Sequence, residues 1–114
     1  MSKVLARQVV LDQLKRINDA ASIPRWSLTT NTSTSTNTNS QMLEAHYKLK
    51  NFKTTWKFLN SIATIAHDQK HHPTIETTYN KVRVTTTTHD VGNQITDRDV
   101  ELASAVERAY TEYE

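Results

Sequence analysis

From Met42 to Lys50 the chain alternates so regularly that its local geometry is nearly forced. Leu43, Ala45, Tyr47 and Leu49 fall on one side, and Glu44, His46, Lys48 and Lys50 on the other. Successive side chains of a strand point to opposite faces, so this pattern describes a strand with one face in a core and one in water. A half-buried strand of this kind belongs to an antiparallel sheet covered on one side. Asn51 then supplies a helix N-cap. Beyond it Phe52, Trp56, Leu59, Ala63 and Ala66 recur at helical spacing, with Phe58, Ile62 and Ile65 widening the stripe. That helix is the most apolar in the chain, is expected to lie against the sheet, and ends before Pro73.

The remaining elements fall on either side. Leu5, Val9 or Val10, Leu14 and Ile17 predict an N-terminal amphipathic helix. Ser22-Ile23-Pro24-Arg25-Trp26 ends it, because proline cannot continue a helix, and Trp26-Ser27-Leu28 opens a short strand. Two more strands are expected at about 75–79 and 81–89. In the second, Val82, Val84, Thr86 and Thr88 face one way and Lys81, Arg83, Thr85, Thr87 and His89 the other. Four successive threonines favour a strand because their branched Cβ is stiff. Thr96-Asp97-Arg98-Asp99 reads as a capping box opening a last helix, whose inward stripe is Ala103, Val106, Tyr110 and Tyr113. The order α-β-β-α-β-β-α implies an α+β fold, an antiparallel sheet with the helices on one face. At 114 residues the chain is expected to form one domain, 1–114. Residues 29–40 carry six Thr, three Asn, three Ser and nothing apolar, and read as a disordered loop or hairpin tip.

Composition removes whole classes of chemistry. The absence of cysteine excludes disulfide scaffolds, thiolate metal sites and cysteine nucleophiles. The single glycine, Gly92, excludes phosphate-cradling loops and dinucleotide fingerprints. No apolar run reaches the roughly 20 residues of a membrane span. A net charge of +2 without a basic stripe argues against direct nucleic-acid binding. Lys3 and Arg7 precede the first acid, Asp12, as in a mitochondrial presequence, but the helical pattern is the stronger signal. The expected setting is cytoplasmic, with a mitochondrial address left open.

Histidine is the concentrated residue type. Four of the five lie between His67 and His89. His71 and His72 sit at the end of the central helix and His89 at the end of the fourth strand, so a folded-back loop would gather their rings near Asp99. Imidazole titrates near neutrality, with an unperturbed pKa of about 6.5, and suits proton transfer. The residues alone leave two other readings open. A His-His pair can cap helix carbonyls, and His67, His71 and His89 could hold a metal. No Gly-flanked nucleophile turn supports a serine triad.

The run His67-x-x-x-His71-His72-Pro73, followed by Tyr79 in YNKVRV, His89 in TTTTHD and Asp99 in TDRD, resembles the signature of the pterin-4a-carbinolamine dehydratases. Pro24 with Trp26, and Asn51 with Phe52, extend the match, which leaves the Ser/Thr/Asn tract as an insertion. The resemblance implies a four-stranded antiparallel sheet with three helices, assembled as a homodimer or homotetramer. It implies elimination of water from a 4a-hydroxytetrahydropterin without metal or organic cofactor. His71 and His89 would be the acid–base pair, and His72 would bind and position the pterin. Asp99 would orient a histidine, His67 would be a further supporting residue, and Thr88 and Asp90 would be further substrate contacts. The position of His67 is more often acidic in that family. A non-enzymatic role is also implied for some members, as a binding partner of a dimeric transcription factor. The last helix would offer Val100, Val106 and Tyr110 for it.

Overall fold

The computed structural model describes residues 4–20, 24–32, 39–88 and 94–113. Its elements are α1 (Arg7–Asp19), β1 (Ser27–Thr32), β2 (Asn39–Lys48), α2 (Phe52–Gln69), β3 (Thr74–Thr78), β4 (Lys81–Thr86) and α3 (Asp97–Tyr110). The four strands form one antiparallel sheet in the order β1-β2-β4-β3. This is the expected α-β-β-α-β-β-α arrangement.

The two central strands carry the core. Leu43, Ala45 and Tyr47 of β2 and Val82, Val84 and Thr86 of β4 are buried. Their register pairs Leu43 with Thr86, Ala45 with Val84 and Tyr47 with Val82, so the inward side chains stack in rows. All three helices pack into the same apolar cluster, with Val10, Leu14 and Ile17 from α1, Phe58 and Ile62 from α2, and Leu102 and Val106 from α3. The rings of Tyr47, Phe58 and Tyr110 meet at its centre, with centroids 4.7–5.4 Å apart. On the outer face Arg83 binds Glu44 of β2 and Glu76 of β3, tying three strands together. Trp26 is buried, and the Asn18 side chain exchanges two hydrogen bonds with its backbone, locking the end of α1 to the start of β1.

Four expectations change. The buried stripe of α2 is Thr55, Phe58, Leu59, Ile62 and Ala66, whereas Phe52 and Trp56 are 54% and 46% exposed and stack edge to face. Ala63 is exposed as well. This helix carries more apolar surface than one face can bury. A threonine completes the inner stripe because its hydroxyl donates to the Asn51 carbonyl (2.7 Å), which satisfies it locally. The Ser/Thr/Asn tract is not all loop. Thr29–Thr32 pair with Asn39–Met42 as an extension of the β1–β2 hairpin, since threonine is a good strand former whatever its polarity. Residues 33–38 lie outside the described residues. Finally, β4 ends at Thr86 rather than at 89, although Thr88 keeps an isolated pairing with Gln94. Val106 and Tyr110 of α3 are core residues of this chain, which withdraws them from the partner surface expected of them. Among the described residues no helix is long and apolar enough to cross a membrane.

Candidate functional site

The site forms where the end of α2, the end of β4 and the start of α3 converge. At the end of α2, Lys70 takes a left-handed conformation (φ 54°, ψ 41°). Its N–H donates to the His67 carbonyl (3.2 Å), and that of His71 donates to the Ala66 carbonyl (3.1 Å). This is a Schellman closure, built here around a lysine rather than the usual glycine. It turns the chain sharply enough to bring His71 inward, where it is 8% exposed, while His67 and His72 stay exposed.

At the start of α3, the capping box predicted from Thr96 and Asp99 is formed. The Arg98 N–H donates to the Thr96 hydroxyl (3.2 Å), and the Thr96 N–H donates to Asp99 Oδ2 (3.0 Å). An N-cap carboxylate is usually solvated, but Asp99 is fully buried. The inward alternation of β4 carries past its end and supplies the missing donors. The Thr88 hydroxyl donates to Oδ2 (2.7 Å) and the Thr86 hydroxyl to Oδ1 (2.6 Å). The Thr96 hydroxyl lies 2.8 Å from that of Thr88. Because Thr88 gives its one proton to Asp99, Thr96 must donate to Thr88, completing a chain of polarised bonds.

The remaining partner of Asp99 is His71, whose Nε2 lies 2.6 Å from Oδ1. Two hydroxyls and one backbone N–H donate to Asp99, so that both of its oxygens serve as acceptors. A carboxylate can only accept, so His71 Nε2 carries a hydrogen and the other ring nitrogen, Nδ1, is left to exchange a proton. The arrangement can therefore take up and release protons at an imidazole of fixed tautomer and orientation, the pattern in which a carboxylate steadies a working histidine.

Of the residues singled out from the sequence, the structure brings together His71, Thr88 and Asp99. Thr88 is 2% exposed and its hydroxyl is engaged with Asp99 and Thr96, facing the protein rather than solvent. His72 lies next to His71 in sequence but is exposed, and His67 is exposed one turn earlier on α2. His89 and Asp90 lie outside the described residues. Among the described residues no group of three metal-ligating side chains is assembled. An open concavity of about 340 Å³ on the outer sheet face, lined by His46, Lys48, Glu76 and Arg83 among others, shares no residue with this site. Sequence reasoning passed over Thr86. The available signal was that Thr86 and Thr88 share the inward side of a strand leading to the capping box.

A second buried polar group lies between α3 and the start of β1. Trp26 Nε1 donates to the Tyr47 hydroxyl (2.8 Å), which donates to Glu107 Oε1 (2.9 Å). Arg25 binds Glu107 Oε2 at 2.7 Å and lies 4.4 Å from the Tyr110 ring centroid. Burial first, and then the Glu107 carboxylate, push the Tyr47 phenol far above its ordinary range.

Comparison with known proteins identifies the family. The family model described as pterin 4 alpha carbinolamine dehydratase matches residues 10–109. Two relatives carry the same family name. One, from Aquifex aeolicus, is 40% identical over 70 residues, covering 61% of this chain and 70% of the relative. The other, from Sulfurisphaera tokodaii, is 40% identical over 86 residues, covering 75% and 81%. A crystal structure from Brucella melitensis, described as a transcriptional coactivator/pterin dehydratase, superposes with a TM-score of 0.73 at 22% identity. It covers 94% of this chain and 98% of that one, a likeness of fold.

Proposed function

This chain belongs to the pterin-4a-carbinolamine dehydratase family, and from that membership we propose that it dehydrates a 4a-hydroxytetrahydropterin to a quinonoid dihydropterin. The observation that carries the reading is the 2.6 Å hydrogen bond between the buried His71 imidazole and the Asp99 carboxylate. In the reaction the C4a–O bond breaks, and the hydroxyl leaves as water with a proton from an imidazolium. A base takes the proton on N5, and the electron pair of that N–H bond forms the C4a=N5 double bond. One water is lost and no electron is gained, so the step needs no redox cofactor.

His71 and His89 are the acid–base pair in this reading, and the exposed His72 meets and orients the pterin. Asp99 holds the His71 ring, and Thr88 acts through Asp99. Asp90 is carried as a substrate contact, and His67 as a supporting group at the rim. Assembly as a homodimer or homotetramer is part of the same reading. A purely binding role, the competing reading, gives no task to a buried histidine–carboxylate pair.

The test is the dehydration of chemically generated 4a-hydroxytetrahydropterin, followed with and without a chelator. The wild-type chain is expected to accelerate it equally in both. His89→Ala should lower kcat by about 10²–10⁴ and His72→Ala should raise KM. Full turnover by both variants, or no acceleration by the wild type, would rule the reading out.

A further inference from the structure

We propose that Thr86 is a positioning residue for His71, acting through the one carboxylate oxygen that the two share. The proposal rests on the dehydratase reading for its effect on turnover, but its structural part stands alone. Asp99 uses its two oxygens differently. Oδ2 receives the Thr96 N–H and the Thr88 hydroxyl, which together complete the helix cap and tie it to the sheet. Oδ1 receives only the Thr86 hydroxyl and His71 Nε2 among the described residues, each at 2.6 Å. The cap is therefore satisfied without Thr86, and the Thr86 bond bears on the oxygen that meets the imidazole.

The location of Thr86 makes that bond stiff. It is the last residue of β4, pairs with Leu43 of β2, and is 2% exposed. Its branched Cβ restricts χ1, so the hydroxyl is aimed by the sheet itself. The Thr86 hydroxyl thus fixes Oδ1 against the central strand pair of the sheet and takes up part of its charge. His71 then meets an acceptor that neither rotates nor draws the ring proton wholly to itself.

Thr86→Val keeps shape and burial while removing the donor. It should lower kcat about tenfold with KM little changed, and Thr86→Ser should recover most of the loss. The independent readout is NMR of the unliganded protein. In the wild type the His71 Nε2–H and the Thr86 hydroxyl proton should both be protected from exchange, and in Thr86→Val the His71 resonance should move. A rapidly exchanging Thr86 hydroxyl in the wild type overturns the proposal without any variant having to fold. So does an unmoved His71 resonance in Thr86→Val. If the wild type fails to dehydrate the pterin while the NMR result holds, the functional reading falls and the positioning role of Thr86 stands.

Discussion

Replacing Glu107 by leucine isolates the energetics of the polar group buried beside Tyr47. The Arg25 and Glu107 side chains are only 9% and 7% exposed and meet at 2.7 Å. The same carboxylate accepts from the Tyr47 hydroxyl at 2.9 Å, which in turn accepts from Trp26. Glu107→Leu leaves a guanidinium without its counter-charge and a phenol without its acceptor. Breaking a buried pair on one side costs about 3–5 kcal/mol. At about 4 °C per kcal/mol for a chain of this size, the melting temperature should fall by roughly 12–20 °C. The double variant Arg25→Met/Glu107→Leu removes both charges and leaves only the phenol short of a partner, a cost of about 1–3 kcal/mol. It should therefore be more stable than Glu107→Leu alone, a non-additivity that thermal and urea unfolding followed by circular dichroism would measure. A single variant costing less than about 1 kcal/mol, or a double variant no better than the single, would refute this account of the network.

The same network makes a prediction about pH. Unfolded Tyr47 ionises near the ordinary value of about 10, while in the folded chain burial and Glu107 keep it neutral well above that. Its contribution is thus present below about pH 10 and is lost progressively above it, so stability should fall with a steeper alkaline limb than that of Tyr47→Phe. Urea midpoints of the two proteins that run parallel from about pH 9 to 11.5 would contradict this. At the end of α2, Lys70→Gly should raise stability by about 0.5–1 kcal/mol, because φ 54° suits glycine better than lysine. A lowered melting temperature would count against the strain argument.

Local pattern carried far in this chain, and long-range placement did not. The alternation of Leu43, Ala45 and Tyr47 against Glu44, His46 and Lys48 is a property of neighbours, and the strand it implies is present. The Thr96–Asp99 capping box is equally local and forms as read. Which side of α2 faces inward depends on α3 and the sheet, and the helix has apolar residues on more than one side, so Phe52 and Trp56 were misplaced. The polar tract reads as loop because threonine and asparagine bury little, yet its ends pair as strand once Ser27 and Glu44 set the register. The Arg25–Glu107 pair joins residues 82 positions apart and leaves no periodic trace. Within the candidate site, the approach of His71 to Asp99 is legible in the order of the elements, and the family resemblance adds only the role of Asp99 in orienting a histidine. The threonines that hold Asp99 follow from strand alternation that was legible but not connected to the cap.

The central claim is that a histidine steadied by a buried carboxylate moves the proton. The most direct measurement is the dehydration rate of His71→Gln, whose side-chain amide can still donate to Asp99 Oδ1 but cannot exchange a proton at neutral pH. The account predicts a fall in kcat of about 10²–10⁴ with the melting temperature nearly unchanged. A variant that keeps the fold and the full wild-type rate would contradict it.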